Sequence, residues 1–153
     1  MLFSEIKNCT EYETDRACCT VVASSVAFNQ DFTHTQEYYN SNGRRRNHAL
    51  ENGLSYRLIK TYARKVGGKV ERLYPKDITG GATLTVGNSK KYLNKTQNYI
   101  MFSSGHAIGV KNGVVQDWSA GSKRPVKVIF AITPPLVQEV IQAITKFKQL
   151  KLF

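Results

Sequence analysis

Long apolar runs are missing from this sequence. Nowhere do about 18 uncharged apolar residues follow one another, as a membrane-spanning helix requires, and the opening MLFSEIKNCT lacks the apolar core of a signal peptide. A soluble, cytoplasmic chain with no membrane partner is the expectation. Cysteine is scarce: the three present, Cys9, Cys18 and Cys19, all fall early in the chain. An odd number cannot close a disulfide framework, and adjacent Cys18 and Cys19 are badly placed to bond each other. No second cysteine pair or Cys/His block offers zinc spacing, so no metal site is expected. Gly67-Gly68 and Gly80-Gly81 lack the lysine and the strand-to-helix context of a phosphate-cradling loop, so no cofactor is expected either. What remains for the thiols is burial as small apolar side chains, or chemistry by one of them.

Acidic residues are the other shortage. Eleven Asp and Glu stand against 22 Lys and Arg, a net charge of +11 over 153 residues. The imbalance is uneven: residues 1–40 carry six acids against Lys7 and Arg16, a local −4, and the rest of the chain carries +15. The densest basic run, Arg44-Arg45-Arg46, sits in a loop-like segment. Such a surface marks a possible partner of opposite charge, either nucleic acid or an acidic protein. With 41% hydrophobic and 22% charged residues the composition is that of an ordinary folded domain, and no repeat or low-complexity linker divides it. One domain over residues 1–153 is expected.

Patterning changes part-way along the chain. The segment ACCTVVASSVAF, from Ala17 to Phe28, is apolar nearly all round and predicts a buried helix, with Asp15 as its N-cap. Thr33 and Gln36 form a capping-box pair for a second helix through Ser41, closed by Asn42-Gly43. Leu58, Ile59, Tyr62 and Val66 recur at helical spacing before Gly67-Gly68. A short strand at Val70–Leu73 and a short helix at Asn88–Leu93 follow. Thereafter β-favouring runs dominate, at Tyr99–Ser103, His106–Val110, Gly113–Trp118 and Val126–Ile132. A last helix is expected to open at Thr133 with Pro134-Pro135 in its first turn, and to dock Leu136, Val140, Ile144 and Phe147, flanked by Val137 and Ile141, on the sheet. This order predicts an α+β fold: a helical part over about 12–68, a sheet part over about 69–132 and a C-terminal helix over about 134–151.

A thiol becomes a nucleophile only as its thiolate, which the positive end of a helix and a neighbouring imidazole both favour. Cys18 and Cys19 lie where the buried helix begins, so the first device is available to either. Of the three histidines, His34 and His48 stand in polar surroundings and read as surface residues. His106 is different. If Asn112-Gly113 form a two-residue turn, Lys111 faces Val114, Val110 faces Val115 and Ile108 faces Asp117. Alternation then puts His106 and Asp117 on one face as diagonal neighbours, whereas a slip of one residue would send them to opposite faces. A carboxylate beside an imidazole holds its tautomer and stabilises its cation, which is what a general base requires. The single tryptophan, Trp118, follows that aspartate and is placed either to cover the His106–Asp117 bond or to fill the core.

A cysteine opening a buried helix, then a histidine opening a strand, then an aspartate on the next strand: this order resembles the papain-like cysteine peptidases. More closely, the chain resembles the small peptidase C39-like proteins of phage and bacterial genomes, whose blocks read roughly Asn-Asp-Cys-x-Val-Arg-Ala-Leu and Gly-His-Ala-x-x-Val-x-x-Gly-x-Val-x-Asp. The counterparts here are Ala17-Cys18-Cys19-Thr20-Val21-Val22-Ala23 and the run from Gly105-His106-Ala107 to Asp117-Trp118. The likeness covers about residues 12–132. It implies a papain-like fold, with Cys19 as nucleophile, His106 as base, Asp117 as orienting carboxylate and a peptide or protein substrate. It also implies a phage setting, in the host cytoplasm or with the virion. Cys18 stands where that family has aspartate and remains an alternative nucleophile, and Val22 stands where it has arginine. Glu13 takes the place at which papain-like enzymes often carry a glutamine donor to the oxyanion, and a carboxylate donates only when protonated. Three outcomes are therefore open: a hydrolase acting on a peptide or other amide bond, an acyl-transfer variant, or a basic binding protein on an inactive scaffold.

Overall fold

The computed structural model describes residues 1–136 and 138–151. Two four-residue helices, α1 (Phe3–Ile6) and α2 (Thr10–Glu13), precede α3 (Cys19–Ala27), α4 (Phe32–Ser41) and α5 (Asn52–Val66). Strand β1 (Lys69–Leu73) is followed by the short helices α6 (Pro75–Thr79) and α7 (Ser89–Tyr92). Strands β2 (Asn98–Ser103), β3 (His106–Lys111), β4 (Val114–Gln116) and β5 (Val128–Thr133) then complete one antiparallel five-stranded sheet of order β1-β5-β2-β3-β4, and α8 (Gln138–Leu150) ends the described chain. The fold is α+β, helices first and antiparallel sheet second, as the change of sequence period predicts. None of the helices is long and apolar enough to cross a membrane, among the described residues.

The nearly all-apolar α3 is the helix buried most deeply: every residue from Thr20 to Ala27 is buried. It lies across β3 and β2. Glycine makes that close crossing possible, because a Cβ on Gly109 would stand 2.9 Å from Val26 Cβ and 3.1 Å from Ala23 Cα. Ile100, Phe102, Ala107, Phe130 and Ile132 face the helices, and Tyr99, Met101, Ile108, Val110 and Ile129 face a second apolar layer containing Leu84, Val86, Leu93 and Val126. Both faces of the central strands are therefore dry. Asn98 ties the far end of α3 to the sheet: its side-chain amide donates to the Ala27 carbonyl, and its oxygen accepts from the Asn112 N–H, at 2.9 Å each.

Several local expectations change. Asp15 does not cap α3. Ala17 turns into the left-handed region (φ 56°), the helix begins two residues later, and Cys18 is its N-cap. Helix α4 is capped by Asp31, whose carboxylate accepts from the His34 N–H at 3.2 Å, so Thr33 and Gln36 form no capping box there. Gln36 turns inward instead and donates to Asp15 at 2.7 Å. Strand β4 stops at Gln116 rather than Trp118. The last helix opens at Gln138, beyond Pro134-Pro135, and is not docked as expected. Leu136, Ile144 and Phe147 are exposed, as is the whole of residues 142–150. Val137 and the side chains of Val140 and Ile141 lie outside the described residues.

Candidate active site

The β3–β4 hairpin turns at Asn112-Gly113, both at positive φ (50° and 72°), as a type I′ turn requires. Its register pairs Lys111 with Val114, Val110 with Val115 and Gly109 with Gln116. Continued past the end of the ladder, that register brings His106 Nε2 to 2.8 Å from Asp117 Oδ2, with both side chains largely buried. The same Oδ2 also accepts from Ser119, through its backbone N–H (3.0 Å) and its hydroxyl. Burial pushes the Asp117 carboxyl up, but the hydrogen bonds from His106 and Ser119 and the imidazolium charge bring it below its usual range.

Cys19 is brought to the same cleft as this pair by α3, which packs on β3. As the first helical residue it has no intrahelical partner for its N–H, and its side chain meets the imidazole at the start of β3. Burial again works against the charged form, yet hydrogen bonds with His106 and the Ala107 N–H, the imidazolium charge and the Thr20 hydroxyl together lower the thiol below its ordinary 9.0. His106 moves in the complementary sense. Its burial favours the neutral ring, but Asp117 and Cys19 outweigh that and raise it from 6.5 to about 9. Because Nε2 is engaged by Asp117, Nδ1 is the nitrogen left for the thiol. Thiolate and imidazolium are thus each stabilised by the other, with the carboxylate behind.

The three side chains line one cleft of about 440 Å³ whose walls include Tyr12, Glu13, Arg16, Ala17, Ala49, Gly105 and Trp118. Cys18 is carried here as well, but burial and the nearby Asp15 carboxylate push its thiol up to about 11, opposite to what a nucleophile requires. Glu13 stands exposed on the cleft wall at the end of α2. Trp118 is not core: it is 63% exposed and lies against His106, with ring centroids 4.9 Å apart. The guanidinium of Arg124 lies 5.0 Å from the same indole ring.

The basic run divides. Arg45 and Arg46 are exposed, Arg46 reaching the Thr14 hydroxyl and carbonyl. Arg44 does not belong to that surface. It is 3% exposed and grips Asp15 through two 2.7 Å bonds, while Asp15 also accepts from Gln36 and, at 2.8 Å, from the Asn47 N–H. Asn47 in turn accepts from the Arg16 N–H at 2.7 Å. The ion pair thus clamps the 44–49 loop onto the turn that delivers the cysteine helix. Burial alone would raise the Asp15 carboxyl; its bonds to Arg44, Asn47 and Gln36 hold it down. Sequence reasoning missed this clamp because one arginine in a run of three carries no mark of burial. It missed Ser119 too, although Asp-x-Ser is the spacing of a side chain bonding backbone two residues on.

His34 and His48 are exposed and are not among the residues that line the cleft, although His48 precedes the lining residue Ala49. Among the described residues no group of three His, Cys, Asp or Glu is arranged to hold a metal ion. Comparison with family models, curated proteins and solved structures finds no significant match to this chain.

Proposed function

We propose that the protein is a cysteine-dependent hydrolase of peptide or other amide bonds, on a papain-like scaffold. The observation that carries this reading is a thiol lowered by an imidazole which is itself held at 2.8 Å by a buried carboxylate, all three opening into one cleft. Cys19 Sγ attacks the carbonyl carbon, forming a C–S bond while the carbonyl electron pair moves onto oxygen. The Cys19 N–H, unpaired at the start of α3, donates to that oxyanion. When the tetrahedral species collapses, the imidazolium of His106 gives its proton to the leaving amine. His106 then takes a proton from water, whose oxygen attacks the thioester and releases the acid. Asp117 supports the imidazolium throughout without itself being protonated.

Glu13 supplies no second donor while ionised, so the Cys19 N–H is the donor assigned. The same machinery serves an acyltransferase if an amine replaces water as acceptor. Cys19→Ala is the direct test: turnover of a peptide library is lost while the circular dichroism and melting curve stay those of the wild type. Cys18→Ala keeps turnover. Equal turnover by Cys19→Ala and wild type removes the proposal.

A further inference from the structure

Basic side chains not used by the triad converge on the mouth of the cleft. On the helical wall Arg16 is an exposed lining residue, and Arg46 is bonded to Thr14, between the lining residues Glu13 and Asp15. On the sheet wall Arg124 lies over Trp118, which lies over His106. The ion pairs formed among the described residues are Asp15–Arg44 and His106–Asp117, so none of these three guanidiniums is neutralised by a carboxylate. Against them, Glu13 is the exposed carboxylate among the lining residues. A concave site with uncompensated cations on both walls concentrates anionic ligands and disfavours cationic ones.

From this arrangement we infer that the cleft selects acidic polypeptide segments, with Arg16 and Arg124 reading carboxylates on either side of the bond presented to Cys19. The inference rests on the hydrolase reading and adds its substrate class. Polypeptide is favoured over nucleic acid because the cations surround a thiol cleft suited to an acyl carbonyl, and the exposed indole that a base would stack on is already engaged by His106 and Arg124.

The test uses the intact protein and peptides that carry a chloroacetyl group on an internal diaminopropionyl side chain, flanked on both sides by Asp, Ser or Lys. Alkylation forms a bond from Cys19 Sγ to the methylene carbon and expels chloride, and mass mapping locates it. The Asp peptide is expected to react about tenfold faster than the Lys peptide at low salt, with Ser between, and the three to converge near ~0.5 M salt as the charges are screened. The double variant Arg16→Glu/Arg124→Glu is expected to invert the Asp and Lys rates relative to the Ser peptide. Equal rates at low salt, or an order unchanged by the charge reversal, overturn the substrate class. The hydrolase reading still stands in that case if iodoacetamide alkylates Cys19 well below pH 9. A Cys19 inert to iodoacetamide takes both down. Protection of Cys19 by an oligothymidylate at concentrations where the Asp peptide fails to protect assigns the rim to nucleic acid and overturns the inference.

Discussion

Replacing Asp117 with asparagine isolates the carboxylate's electrostatic contribution. The amide oxygen can still accept from Ser119, so the local turn survives, but the charge facing Nε2 is gone. The rise of His106 from 6.5 to about 9 corresponds to roughly 3 kcal/mol in favour of the imidazolium, supplied jointly by Asp117 and the Cys19 thiolate. If the carboxylate supplies half, its loss lowers the equilibrium constant between thiolate–imidazolium and thiol–imidazole by about tenfold. Iodoacetamide reads that population as a second-order rate, and mass mapping assigns it to Cys19. Wild type is expected to react below the thiol's ordinary 9.0. Asp117→Asn should be slower at pH 6–7, by up to about tenfold. The two rates should meet at alkaline pH, where the thiolate forms without help from the imidazolium. His106→Ala should resemble a free thiol throughout. Superimposable profiles for wild type and Asp117→Asn would refute the argument, because the 2.8 Å bond would then contribute nothing to the charge state of the imidazole.

Further outcomes follow from the same contacts. Arg44→Ala leaves Asp15 buried without its counter-ion and is expected to cost about 3–5 kcal/mol, read as a lower urea midpoint; Arg45→Ala should leave that midpoint unchanged. Gly109→Ala forces a methyl against Val26 and Ala23, so a loss of about 1–3 kcal/mol and slower Cys19 alkylation are expected, because α3 must move off β3. The His106–Asp117 pair also makes stability depend on pH. Asp117 lies below its unfolded 3.8, so its contribution is present above that pH and lost as pH falls through the folded value. His106 lies above its unfolded 6.5, so its contribution is complete below that pH and lost as pH rises through about 9. Urea midpoints of wild type minus His106→Ala should therefore be largest between about pH 4 and 6.5 and shrink on either side.

What could be read before folding was local. The order of helices and strands follows from hydrophobic period. Positive φ at Asn112-Gly113 follows from residue type, and once that turn is set, the two-residue alternation of strands carries His106 to the side of Asp117 without any knowledge of the rest of the chain. The buried α3 is legible for the same reason, since a segment apolar all round has no solvent face to offer.

The remainder depends on contacts between residues distant in sequence. Which of two adjacent thiols meets the imidazole is decided by where α3 begins, and that is set by the left-handed Ala17 and by the clamp from Asp15 to Arg44. Arg44 reads as one more surface cation until a buried carboxylate from another loop is brought to it. Trp118 is as compatible with core as with cleft until β4 ends at Gln116 and leaves the indole exposed beside His106. The last helix has an apolar stripe as plain as any in the chain, yet Ile144 and Phe147 on it lie in solvent. Periodicity states which side of an element is apolar, and the sequence determined that much; only the tertiary structure decides what, if anything, occupies that side.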